Sequence, residues 1–330
     1  MVDFRYHLVS IIAVFLALAV GIVVGTAALN GPVVDGLRGD VDALTQDNAA
    51  LEDRIEGLQA QLAASDAAAA QIAPRLVGGA LEGQRVLLVT TPGAPPELAE
   101  SLVPVLSSAG ATVTGQLDLR AALGDPESRA LVEDLVAQVL PAQVELPDGS
   151  PVERAGAVLA AALSSAPEAA EVEEEEAQAV VAAFQEADLV AFDSAVADDA
   201  LTSATLVVVL SGPGSGTEPT VEQAQRLEAL LAVAQALDDR SEGVVVAGAG
   251  DAAQPGGLLA ALRAQSTTAQ DVSSVDGADR GLGRVTLVSA LAEQRAGRSG
   301  QYGAGPGATA ALPEPAAEPA SEPAAEPAGD

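Results

Sequence analysis

Cysteine, tryptophan and lysine are absent from this 330-residue chain, and histidine and methionine occur once each, as His7 and Met1. Without cysteine there is no disulfide framework, no thiolate zinc site, no iron–sulfur cluster and no cysteine nucleophile. Without lysine, Schiff-base chemistry and a lysine-bearing phosphate loop are excluded. A Ser–His–acid triad has only His7 to draw on, and no G-x-S-x-G elbow follows a strand. Bases are scarce: 15 arginines stand against 47 acids, a formal net charge of −32. A chain of that sign does not grip nucleic-acid phosphates or lie along anionic head groups, since both need clustered Lys and Arg. Aromatics make up 2% and hydrophobic residues 49%, so any core is built from Ala, Val and Leu. The length corresponds to about two domains.

Composition separates four regions: 1–36, 37–76, 77–302 and 303–330. From Leu8 to Leu29 no residue is charged, a run of 22. Crossing the hydrocarbon takes about 20 apolar residues, whereas a cleaved signal peptide has a core of roughly 7–15. Residues 1–36 therefore read as an uncleaved signal anchor, in the lipid bilayer through residues 8–29. Arg5, the α-amino group and His7 precede the run, and Arg38 follows it. The positive-inside rule then favours a cytoplasmic N-terminus and an extracytoplasmic bulk. Ala17, Gly21 and Gly25 fall four apart. That spacing lets two membrane helices approach closely, and it equally suits ordinary glycine tolerance in a membrane helix.

After an expected turn at Asn30-Gly31-Pro32, apolar positions step by four and three. Leu37, Leu44, Leu51 and Leu58 take heptad position d; Val41, Asn48, Ile55 and Leu62 take position a. Leucine at d, β-branched residues at a and a single Asn at a specify a two-stranded parallel coil in one register. The pattern predicts a coiled-coil stalk over 37–76 and a parallel homodimer. It weakens at Ser65 and Ala69 and returns at Ile72 and Leu76.

Beyond Gly78-Gly79 short β-like runs alternate with helical stretches, which predicts an α/β domain over 77–302 with a parallel sheet covered on both faces. Expected strands lie at 85–90, 111–117, 188–192, 204–210, 243–247 and 272–275. Expected helices begin after Pro92 and run near 126–139, 152–164, 168–187, 219–238 and 256–265. Residues 284–295 suit a helix, although 284–288 also pass as a strand.

Ligand sites in such sheets gather at the carboxyl ends of strands. Two loops there are glycine-rich, one with Gly212, Gly214 and Gly216 and one with Gly248 and Gly250. Their amides are candidates for holding an anion, yet neither loop has the dinucleotide or Walker spacing, and plain strand–helix connections explain them as well. Glu173 to Glu176 form the densest acid cluster, at a helix start where acids favour the helix dipole; loose divalent-cation binding is the alternative. No catalytic residue, cofactor or metal site is assigned. From Gly303 the chain is rich in Gly, Ala, Pro and Glu, a composition that predicts a disordered tail over 303–330.

The opening Asp3-Phe-Arg-Tyr-His-Leu-Val-Ser10 and the run from Ile11 to Gly25 resemble the actinobacterial copper transporter family, that of mycobacterial copper transport protein B. The coil and Ala292-Glu-Gln-Arg-Ala-Gly297 with Gly300-Gln-Tyr-Gly303 extend the likeness over about residues 1–303. The resemblance implies a membrane-associated protein with a role in copper homeostasis and an outer-membrane channel; copper enters by resemblance alone. Cu(I) prefers Cys and Met sulfur and Cu(II) imidazole, and this composition offers no Cys, with Met1 and His7 as its one Met and one His. A barrel channel needs many alternating strands of about 10 residues, and these residues offer one membrane helix and an α/β pattern.

Three readings follow. The first is a single-span, non-catalytic envelope protein with a role in copper transport. The second is a ligand-binding or enzymatic domain using the glycine loops. The third is a stalked dimeric scaffold that recruits partners.

Overall fold

The computed structural model describes residues 4–166, 172–194 and 201–314. The chain divides into two compact units, which meet in sequence at Ala64 and Ser65.

The first unit consists of helix α1, which spans Phe4–Val77 and ends in the second unit. Residues Arg5–Thr26 have a mean hydropathy of 2.9 and none of that stretch is buried in the protein. By length and composition it is able to cross a membrane. The turn expected at Asn30-Gly31-Pro32 is corrected: the backbone stays helical there. Glycine and proline cost a helix about 1 and 3 kcal/mol, but proline's φ is already helical and long helical runs flank it on both sides. The heptad residues Leu37, Val41, Leu44, Leu51, Ile55, Leu58 and Leu62 are all helical and 42–62% exposed. Asn48 is exposed among them.

The second unit is a mixed α/β body. After the end of α1 come β1 (Arg85–Thr90), α2 (Pro96–Ser108), β2 (Thr112–Leu119), two 3-10 turns at Ala121–Gly124 and Pro126–Ser128, and α3 (Arg129–Val139). Next are α4 (Pro151–Leu163), α5 (Glu174–Glu186), β3 (Val190–Ser194), β4 (Leu206–Ser211) and α6 (Val221–Asp238). The chain continues through β5 (Val244–Gly248), α7 (Leu258–Ala264), α8 (Thr268–Asp271), β6 (Ser273–Val275), α9 (Gly281–Arg295) and β7 (Gln301–Tyr302). Capping boxes start two of the helices, Ser150 with Glu153 on α4 and Thr220 with Gln223 on α6. Each satisfies two amides that a helix start otherwise leaves orphaned.

One open seven-stranded sheet runs β3-β2-β1-β4-β5-β6-β7. Its central strands read as unbroken apolar runs because both faces are covered. Leu87 and Val89 enter one core with Val207, Val209, Val244 and Val246, under α3 to α7. Val86 and Leu88 enter the other with Leu206, Val208, Leu210 and Val245, under α2, α9 and the end of α1.

The all-parallel expectation is corrected at one edge. β3 pairs antiparallel with β2, Leu119 opposite Val190 and Gly115 opposite Ser194, while the other ladders are parallel. An antiparallel edge on a parallel sheet is a common arrangement, and the direction comes from the ladder with β2 and is not written in the residues of β3. The 284–295 ambiguity resolves as α9, while α8 and β7 are elements the pattern did not reveal. Of the expected helix over 168–187, residues 167–171 lie outside the described residues, and α5 begins at Glu174.

The boundary at 302 is also corrected. Residues 303–310 are held on the body: Gly303 N donates to Ala310 O at 3.0 Å and Thr309 N to Gln301 O at 2.7 Å. The tail expectation for 315–330 lies outside the described residues.

Candidate strand-end site

β1 leads to β2 on one side, and the chain later returns to β4 on the other. In an open α/β sheet this reversal leaves a crevice at the strand carboxyl ends, where ligands commonly bind. The sequence placed its glycine loops there, and the structure brings them together: Gly212, Gly214 and Gly216 follow β4, and Gly248 and Gly250 follow β5.

Their surroundings are the chain's own backbone. A Cβ on Gly212 would lie 2.6 Å from the carbonyl oxygen of Gly93, in the loop after β1. Gly214 has no room for a Cβ beside the carbonyl of Gln254, nor Gly248 beside Ala252. Gly214 N donates to Asp251 O at 3.1 Å and Gly216 N to Pro255 O at 3.0 Å. Thr91 binds across the switch point, its amide donating to Leu210 O at 2.9 Å and its hydroxyl to the same oxygen at 3.1 Å. Gly216 adopts φ +74°, in the region that favours glycine, and Gly250 faces open space. The loops interlock, and the amides of Gly214 and Gly216 are occupied within the protein. One residue pair over, Asp118 at the end of β2 accepts from the Thr90 hydroxyl and from Gln116 Nε2 at 2.8 Å. A cleft of about 750 Å³ lies elsewhere, beside α4 and the C-terminal half of α6, lined by Val144, Leu146, Glu228, Leu231 and Gln235.

Two polar clusters were not visible as sites in the sequence. In the first, Arg263 of α7 meets Asp276, just after β6, at 2.9 Å, their side chains 2% and 4% exposed. Arg263 also donates to Ser274 Oγ, Tyr302 O and Pro306 O, at 2.8, 2.8 and 2.9 Å. Asp276 accepts from the amides of Ala304, at 2.9 Å, and Gly305, at 3.1 Å. Every donor and acceptor of the pair ends on the 302–306 segment or on β6, so the cluster works as a clamp for the chain after β7. An arginine among Leu258, Leu259 and Leu262 on a short helix was the one local hint.

In the second cluster, Tyr302 donates to Glu293, and Arg298 Nε donates to the same carboxylate at 3.3 Å. Burial, then the bond to Glu293, holds the Tyr302 proton well above the usual phenol range. Nearby, the Asp238 carboxyl is pushed up to about 7, chiefly by burial and further by the charges of Asp239 and Asp271. Its bond from Val244 N, at 3.1 Å, opposes that rise.

On α1, Gly21 and Gly25 meet nothing within 4 Å, and Ala17 is exposed with them. Among the described residues no group of three or more His, Cys, Asp or Glu is placed to hold a metal ion.

Residues 1–313 match a family model described as "Copper transport outer membrane protein, MctB". The chain belongs to the MctB family. It is 30% identical over 317 residues to proteins named "Copper transporter MctB" from Mycobacterium bovis and from Mycobacterium tuberculosis, covering 93% of this chain and 98% of each relative. To the protein of the same name from Mycobacterium leprae it is 28% identical over 318 residues, covering 94% and 98%. The MctB match runs past the clamped segment to residue 313, so the clamp lies inside the region this chain shares with its family.

Proposed function

We propose that this MctB-family chain is a single-pass, membrane-anchored protein with its bulk outside the cytoplasmic membrane, serving copper transport or homeostasis without catalysing a reaction. The observation that carries the reading is the family match over residues 1–313, with relatives named as copper transporters along nearly their whole length. Anchoring is supported by the uncovered apolar helix Arg5–Thr26. The non-catalytic reading is supported by the interlocked strand-end loops and by the lack of lysine and cysteine. A parallel homodimer along Leu37–Leu62 is supported by the heptad spacing and the exposed seam. With one histidine and no cysteine, the chain acts on copper as a scaffold, or through an acidic surface that attracts cations weakly.

The test is cellular and chemical together. Deleting the protein raises cell-associated copper under copper load, and the full chain restores it. The purified full-length chain in detergent binds Cu(II) and Cu(I) weakly and loses both as salt rises. Unchanged copper content after deletion overturns the copper role. Tight stoichiometric copper that survives salt overturns the scaffold mode.

A further inference from the structure

We infer that the copy-to-copy seam does not end at Leu62 but continues through Ile72 and Leu76, so that a second copy of this chain packs along the last turns of α1, beside their docking face on the α/β body. This rests on the parallel homodimer proposed above. In the same heptad phase, d falls on Ser65 and Ile72 and a on Ala69 and Leu76. In the second unit α1 is already docked on one side. Asp66 accepts from Gly281 N at 3.1 Å and pairs with Arg280 at 3.4 Å. The α carbon of Gly281 lies so close that a Cβ there would come within 2.7 Å of the Ala69 Cβ. Ala73 and Val77 are buried in the core beneath α2 and α9. Residues 66, 69, 73 and 77 thus form the docking face.

Ile72 and Leu76 lie off that face and are 52% and 61% exposed. A helix whose one task was to sit on its own body would keep its largest apolar residues on the docked side. Here the docked side has Ala69, Ala73 and Val77, while the larger Ile72 and Leu76 stay exposed in register with the seam. Size follows crowding: Ala69 is small where Gly281 approaches, and Ile72 and Leu76 are large and exposed. Leu282, next in sequence to Gly281, is also 54% exposed.

Nine apolar a and d residues, Leu37 to Leu76, each about half exposed, would remove on the order of 1,500 Å² from two copies, within the range of specific stable interfaces. Membrane spans at the same end of both copies hold the pairing parallel. In a parallel in-register coil each a or d residue faces its own counterpart.

The chain has no cysteine, which makes single-cysteine scanning direct. Leu51→Cys, Ile72→Cys, Leu76→Cys and, on the outer face of α1, Ala67→Cys are each introduced into the full chain and oxidised with diamide in native membranes. The expected result is a disulfide dimer of twice the chain mass from Leu51→Cys, Ile72→Cys and Leu76→Cys, and monomer from Ala67→Cys. Cross-linking at Leu51→Cys with Ile72→Cys and Leu76→Cys behaving like Ala67→Cys overturns this inference and leaves the stalk dimer standing. Monomer from all four overturns both. An adduct of any other mass at Ile72→Cys identifies a different partner and also overturns the inference.

Discussion

Asp276 spends its whole acceptor capacity inside the protein, on Arg263 and on the amides of Ala304 and Gly305. Removing one member of a buried pair strands the other charge, at about 3–5 kcal/mol. Asp276→Ala is expected to lower the unfolding free energy of the full chain by that order, read from urea unfolding followed by far-ultraviolet circular dichroism since the chain has no tryptophan. Hydrogen exchange at Ala304 and Gly305 should speed up in parallel. Asp238 makes a prediction with the opposite sign from an ordinary paired acid. Its folded value is about 7 against an ordinary 3.8, so the folded chain holds a proton that the unfolded chain has lost. Stability is expected to fall as pH rises from about 4 to about 7 and to level off above that. Asp238→Asn, which keeps an acceptor for Val244 N, removes this slope. The variant should gain over the parent at about pH 8 and match it at about pH 4, measured by urea unfolding at both pH values. Equal slopes for parent and variant would sink the assignment.

The last turns of α1 are held by α9 through backbone proximity more than by large side chains. Gly281 is the enabling residue, since a Cβ there meets Ala69 Cβ at 2.7 Å and the Asp66 carbonyl at 3.0 Å. Gly281→Val is therefore expected to push the helix off α9 and break the Asp66 contact with the Gly281 amide, costing about 1–3 kcal/mol as for other overpacked sites. Limited proteolysis should show new cleavage near Arg75, while Gly250→Ala, which faces open space, leaves the pattern unchanged. The glycine loops follow the same physics. Gly212 and Gly214 sit where two backbones touch and Gly248 against the Ala252 Cβ, so their position was legible as strand-end glycine while the reason for glycine was not.

Across the whole molecule the charge of −32 is divided unevenly: the first 29 residues contain only Asp3 and Arg5 as charged residues. Most acids therefore fall within residues 37–302, with five more on 303–330, the parts proposed to lie outside the membrane. A diffuse acidic surface without thiolate or clustered imidazole attracts cations by a screened field. Copper retained by the full chain is expected to fall as ionic strength passes about 0.15 M, where the screening length is about 8 Å. Mg²⁺ at equal ionic strength should displace it, with both followed by equilibrium dialysis; copper that resists Mg²⁺ would instead mean a built site.

Local pattern alone determined the apolar span, the heptad phase of α1, the existence of each central strand to within two residues, and the absence of thiol and amine chemistry. These features depend on neighbours a few positions apart: unbroken Val and Leu runs announce strands buried on both faces, and steps of four and three announce a helix with one apolar stripe. Tertiary structure decided the rest. It turned β3 antiparallel, added the two-residue β7 and held residues 303–310 against the body. In each of those cases the deciding partner is remote in sequence or the connection is long. Composition read Gly303 to Ala310 as tail because its partners, Arg263 and Asp276, lie about 30 to 40 residues earlier; only the folded sheet brings a buried ion pair to meet those amides and carbonyls.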